Sequence, residues 1–295
     1  MTLPEHVSIK NLSGERFHVL YHLTGDEATA RVKAADILVE QTVEFPVELV
    51  PDGDVRDHIL GRIEDFSYLA PEHYAATISY ANEVAGDDLV QFLNVVFGNI
   101  SIKPGIRFIR FDLNPSKRAA FRGPRYGRSG LRDLVKVYDR PLMCSALKPM
   151  GLSNEDLAHM AYQFALGGFD LIKDDHGLAD QSFTRFKERV ERCAEAVARA
   201  NAQTGLNCLY FASVTTRVDR VQEYAHFARS VGAGGLLICP SLTGLDVMRV
   251  LAEDDALALP IMSHPSFSGS YVLNNESGIT HSALYGQLQR LAGRI

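Results

Sequence analysis

The chain has 295 residues, 46% of them hydrophobic, and a formal net charge of −6, enough for one or two domains with a large core and with no basic run to serve a nucleic acid. No apolar stretch is long enough to span a bilayer, and the polar segment Met1–Lys10 lacks the apolar centre of a signal peptide, so no membrane partner is expected. The four cysteines, Cys144, Cys193, Cys208 and Cys239, show no zinc-type spacing and point to a reducing, cytoplasmic compartment.

Phe17, Val19, Tyr21 and Leu23 alternate along the chain and predict a first strand. A helix starts near Asp26, with Val32, Ala35, Ile37 and Leu38 turned inward, and stops before Pro46, which cannot continue it. Short strands are expected over 61–68 and 74–80, a helix over 87–97 that Gly98-Asn99 breaks, and a strand over 106–113. This βαββαβ-like order predicts a small α+β domain over 1–125. Phe121–Gly130, rich in Gly, Arg and Pro, reads as a connector.

From 126 to 295 the rhythm changes. Strands are expected over 142–147, 171–173, 208–213, 236–239 and 260–263, each followed by a helix. Ser153 caps the first of these helices with Asp156 at its third position, and Gly167-Gly168 stops it near Leu166. Ser182 is expected to cap a helix over 183–202, with later helices over 218–230, 245–252 and 280–292. Strand then helix, five times, implies a parallel sheet, either doubly wound or closing as a barrel. There is no GxGxxG or Walker loop. Polar residues recur at the C-terminal ends of the strands: Lys148; Lys173, Asp175 and His176; Ser213 and Thr215; Ser241 and Thr243; His264. A barrel's active face needs that recurrence, whereas a doubly wound sheet gathers its ligand contacts at one switch point.

The stretch Phe169–His176 organises the rest, because an apolar strand runs straight into four ionisable groups. Alternation sends Lys173 and Asp175 to one side and Asp174 to the other; His176 joins the first pair only if the backbone turns. An ionic surface patch is the competing reading, but such patches rarely terminate an apolar strand.

With these segments in view, the chain resembles the RuBisCO large-subunit superfamily and, more closely, the RuBisCO-like proteins. The resemblance is carried by Lys148-Pro149 with Gly151-Leu152-Ser153, by Gly167-Gly168-Phe169-Asp170-Leu171-Ile172-Lys173-Asp174-Asp175, and by Phe183-Thr184-Arg185-Phe186-Lys187-Glu188-Arg189. Glu40 and Phe97-Gly98-Asn99 resemble segments that cross to a partner's active site and bind substrate. The resemblance implies an α/β protein with an N-terminal ferredoxin-like α+β domain and a (β/α)8-type TIM barrel. Only the first five β/α units of that barrel are expected here, and it is incomplete at the C-terminus. An antiparallel homodimer is implied as well. It implies that Lys173 takes up CO2 as a carbamate that holds Mg2+ together with Asp175 and the residue at 176. The ion then stabilises an enolate formed beside a carbonyl. Lys148 is implied to move the proton, and His264 is the surviving histidine of the fifth strand.

The departures decide which reaction to expect. His176 stands where the family has a glutamate ligand, Met150 where a second lysine would be, and Pro265 where an arginine binds phosphate; there is no tryptophan. Histidine suits softer ions than Mg2+. Carboxylation of ribulose bisphosphate is therefore not expected. The Lys-Asp-Asp-His strand resembles the sugar-acid branch of the RuBisCO-like proteins. It favours decarboxylation or C–C hydrolysis of a 3-oxo sugar-acid phosphate, of the 3-oxo-isoapionate-4-phosphate type. The enolase or isomerase reactions of methionine salvage are the first alternative. A shortened relative that binds or dimerises without catalysis is the second.

Overall fold

The computed structural model describes residues 4–295, so Met1–Leu3 of the polar N-terminal stretch lie outside the described residues. The chain forms two compact units. One holds the residues up to Phe121 together with Gly269–Leu288; the other holds Arg122–Ser268 and Gln289–Ile295.

In the first unit, β1 (Arg16–Thr24) is followed by α1 (Glu27–Glu40), β2 (Arg62–Ala70), β3 (His73–Ala81), α2 (Leu89–Phe97) and β4 (Ile106–Asp112). The sheet runs β4-β1-β3-β2 with antiparallel neighbours, the arrangement of a ferredoxin-like domain. Strict alternation along β1 buries Phe17, Val19, Tyr21 and Leu23 completely. Phe92 of α2 closes over them, with its ring 5.4 Å from Phe17 and 5.2 Å from Phe111. The Asp26 carboxylate caps α1 by accepting from the Thr29 N–H at 2.7 Å. The inward stripe of α1 is Ala30, Ala34 and Ile37, while Val32 is 68% exposed and Ala35 also faces out. The expected stripe thus shares only Ile37 with the observed core face. The small alanines sit one helical turn apart and let the helix lie close to the sheet.

The second unit begins inside the expected connector, where Gly127–Val135 forms a helix, α3. Then come β5 (Cys144–Leu147), α4 (Asn154–Leu166), β6 (Leu171–Asp174), α5 (Phe186–Thr204), β7 (Leu209–Ser213), α6 (Val218–Ser230), β8 (Gly235–Ile238), α7 (Leu245–Glu253) and β9 (Ile261–Ser263). The five strands are parallel and stand in sequence order. A doubly wound sheet would reverse its order at a switch point, so this order selects the barrel architecture.

The Ser153–Asp156 capping box at α4 is present with both of its bonds. Ser182 does not cap α5. Residues 181–184 close a turn, Gln181 O accepting from Thr184 N–H. The Asp180 carboxylate then accepts from the Phe186 N–H at 2.9 Å, so capping comes from six residues upstream. The expected helix over 280–292 is also different. Gly278–Ile279 pairs in parallel with β4. Ser282–Leu288 forms a π-helical stretch in the first unit, with Ala283, Leu284 and Leu288 buried and Gln287 bonded to the Phe111 backbone. Among the described residues no helix is long and apolar enough to cross a membrane.

Candidate active site

Strand β6 places its carboxylates in three different settings. At its N-terminal end, Asp170 accepts two bonds from Arg140 at 2.7 and 2.8 Å and one from the Met143 N–H at 2.7 Å. Burial works to raise this carboxyl, and Arg140 outweighs it and holds the group below its ordinary value. At the C-terminal end, Asp174 is fully buried. It accepts from the Tyr210 hydroxyl at 2.7 Å, the Ser213 N–H at 3.0 Å and Arg189 Nε at 3.3 Å. Arg189, on α5, is also fully buried and donates through Nη1 to the Thr184 carbonyl and hydroxyl. Burial, and then the Asp174 charge, drive the Tyr210 phenol well above its ordinary range, so it donates as a neutral group.

On the opposite side the strand ends and the chain turns. Leu178 N–H donates to Asp175 O at 3.0 Å, and the turn swings His176 back toward Asp175. The ammonium of Lys148, at the end of β5, stands 2.6 Å from Asp175 Oδ1, and His176 Nδ1 stands 3.4 Å from the same atom. The lysine contact is an ion pair and not a directed bond, for this buried oxygen has no partner in hydrogen-bonding geometry. Lys173 donates to the Asp174 carbonyl at 3.2 Å. Burial of Asp175 works to raise its pKa, and Lys148, His176 and the Gly177 N–H together hold it below the ordinary value.

His264 follows β9, and its N–H donates to Ile238 O at 2.8 Å. Its ring lies flat on that of His176, with centroids 4.2 Å apart and planes 11° from parallel. The Ser266 N–H donates to His264 Nδ1 at 3.2 Å, and the Ser266 hydroxyl is 3.1 Å from the same nitrogen. A backbone N–H can only donate, so Nδ1 is an acceptor and the ring proton resides on Nε2. Burial first, then His176 and Lys173, push this imidazole down to about 4. His264 is therefore neutral near pH 7 and offers one N–H.

Lys148, Lys173, Asp175, His176 and His264 thus gather at the strand ends of the second unit. Glu40 and Asn99 belong to the first unit, and each has a local partner. Glu40 lies 3.6 Å from Lys103, and Asn99 donates to Glu44 at 2.6 Å. The residues that sequence reasoning passed over are Arg189 with Tyr210, which saturate Asp174, and Ser266, which fixes the His264 tautomer. Ser266 lies two positions from His264 and was open to detection as a local partner; a contact fifteen residues away, such as Arg189 to Asp174, leaves no local pattern.

With Asp174 neutralised by Arg189, one carboxylate faces four nitrogen groups. Such a set attracts anions. It also bears on a metal. Among the described residues no group of three His, Cys, Asp or Glu could hold an ion. Asp175 and His176 are two adjacent donors, and Lys173 becomes a third, oxygen donor only as a carbamate. The residues therefore fit a divalent ion on the condition that Lys173 has taken up CO2.

Comparison with known proteins is consistent across sequence and structure. The family model for ribulose bisphosphate carboxylase large chain, catalytic domain, matches residues 127–294. The chain is 37% identical over 279 residues to ribulose bisphosphate carboxylase-like protein 1 of Rhodopseudomonas palustris, covering 95% of this chain and 74% of that one. It is 34% identical over 280 residues to the 5-methylthioribulose-1-phosphate isomerase of Rhodospirillum rubrum, covering 95% and 73%. The crystal structure of a Rubisco-like protein from Rhodopseudomonas palustris superposes with a TM-score of 0.86 at 37% identity, over 95% of this chain and 75% of that one.

Proposed function

Given that this chain belongs to the RuBisCO large-chain family, as a RuBisCO-like protein, we propose that it forms and protonates an enolate on a phosphorylated sugar acid. The reaction favoured is decarboxylation or C–C hydrolysis of a 3-oxo sugar-acid phosphate. One observation carries the reading: Asp175 pairs with the Lys148 ammonium and lies beside His176, on whose ring His264 stacks. With Lys173 as a carbamate, a substrate bearing both a phosphate and a carboxylate would meet the Lys148 ammonium, the Nε2–H donor of His264 and a bound divalent ion.

A bound divalent ion would supply Lewis-acid stabilisation of the oxyanion, held by Asp175, His176 and a carbamate on Lys173. In decarboxylation the C–C bond to the carboxylate breaks, its electron pair becomes the enolate, and CO2 leaves. The Lys148 ammonium, at the end of β5, then delivers a proton to carbon and completes the ketone. The Nε2–H of His264 donates toward the developing oxyanion. Glu40 and Asn99 are assigned to substrate binding in a homodimer.

The test is to supply a 3-oxo sugar-acid phosphate and methylthioribulose phosphate separately, with a divalent ion and bicarbonate, and to follow both by phosphorus NMR. Turnover of the sugar acid with release of CO2 or a cleaved acid is expected. Turnover of methylthioribulose phosphate alone would replace this reading with the second one, an enolase or isomerase reaction of methionine salvage. The 34% identity to the Rhodospirillum rubrum isomerase favours that second reading.

A further inference from the structure

In the first unit one buried side chain spans the two segments that carry Glu40 and Asn99. Gln41 caps α1 directly after Glu40 and is 6% exposed. Its Nε2 donates to the Asn94 carbonyl at 2.6 Å and to the Val95 carbonyl at 2.7 Å, both in the last turn of α2. Its Oε1 accepts at 3.2 Å from the N–H of Ile100, the residue after Asn99. The last carbonyls of a helix lack full pairing within the helix, and a primary amide brings two donors and an acceptor oxygen to such a place. Gly98 lies between the bonded stretches and admits no side chain, since a Cβ there would stand 2.3 Å from the Asn94 carbonyl oxygen.

Resting on the assignment of Glu40 and Asn99 to substrate binding, we infer that Gln41 is a positioning residue for both. It fixes their separation and, being buried, touches no substrate itself. Glu40 and Asn99 are each one peptide bond from a clamped residue, so a shift of the clamped backbone carries them with it. Their side chains are steadied by other contacts. Lys103 pairs with Asp36 at 2.5 Å and stands 3.6 Å from Glu40, and Asn99 donates to Glu44 at 2.6 Å. These contacts are partly in water, where such pairs hold a group weakly. The Val95 and Ile100 bonds of the clamp are buried, so removing the amide leaves both backbone groups unpaired.

The test is kcat and KM of the full chain, with a divalent ion and bicarbonate, on whichever of the two substrates named above it turns over. Gln41→Met keeps the length and bulk of the side chain and removes all three bonds. Gln41→Glu keeps an oxygen for the Ile100 N–H and serves where the first variant does not fold. Gln41→Met is expected to raise KM about tenfold with little change in kcat, as Asn99→Ala should. Its effect should shrink to about twofold or less once Glu40→Gln and Asn99→Ala are both present, because Gln41 acts through those two groups. A merely structural role lowers the folded, active fraction and leaves KM alone. An unchanged KM in Gln41→Met, an effect of full size on top of the other two substitutions, or failure of both Gln41 variants to fold would overturn the inference and leave the substrate-binding assignment standing. Glu40→Gln and Asn99→Ala without effect, or a chain that turns over neither substrate, would overturn that reading and the inference with it.

Discussion

On one side of β6 the Asp174 carboxylate accepts from a phenol, a backbone N–H and a guanidinium, all buried. One residue further, Asp175 faces an ammonium that is 59% exposed and an imidazole at 3.4 Å, and its Oδ1 has no directed bond. The two groups are chemically identical and differ only in what the strand turns them toward. The first is saturated, and anything that replaced its partners would leave a charge buried. The second has partners that can be exchanged for an ion without unfolding anything. The difference separates the carboxylate that fixes the strand from the one that is available for chemistry.

The sharpest way to break this comparison is to remove a partner on the saturated side. Asp174→Ala leaves the Arg189 guanidinium buried without its charge partner, and a stability loss of about 3–5 kcal/mol is expected in urea unfolding. A loss under about 1 kcal/mol would place Asp174 among ordinary surface pairs and end the contrast.

Asp170, at the other end of the strand, should show a smaller and pH-dependent effect. Its folded carboxyl lies below the ordinary value of 3.8, because Arg140 and the Met143 N–H outweigh its burial. The unfolded chain therefore binds that proton more readily, and stability rises with pH through this window. The contribution is complete above about pH 4 and is lost as pH falls through the depressed folded value. Asp170→Asn should thus flatten the acid limb of the stability curve; an unchanged limb would show that the Arg140 pair contributes nothing.

The smallest effect on stability belongs to the open side. Asp175→Asn is expected to change unfolding free energy by no more than about 1 kcal/mol, since its lysine partner is largely in water. Turnover and ion binding should fall to background in the same variant. A variant that loses stability as heavily as Asp174→Ala would mean that both carboxylates are structural.

Much of this was legible in the sequence. Alternation along β1, the Ser153 capping box and the separation of Lys173 and Asp175 from Asp174 are local rules, and the structure follows them. Where partners lie far apart in the chain, the local signal pointed elsewhere. Asp180 displaced Ser182 as the cap of α5, because a turn over 181–184 intervenes. Gly278–Ile279 found a strand partner in β4, some 170 positions away, and drew the expected fifth helix into the first unit. The return of His176 to the side of Asp175 depends on a turn that alternation does not encode. Its stacking on His264 joins positions 88 residues apart.

The proposed chemistry requires Lys173 to become an oxygen donor beside Asp175 and His176. Carbon-13 NMR of the full chain in labelled bicarbonate, with and without Co2+ or Mg2+, reads that step directly. A carbamate resonance that strengthens with the ion and disappears in Lys173→Arg is the predicted result. No carbamate with either ion at saturation, or one that persists in Lys173→Arg, would contradict it.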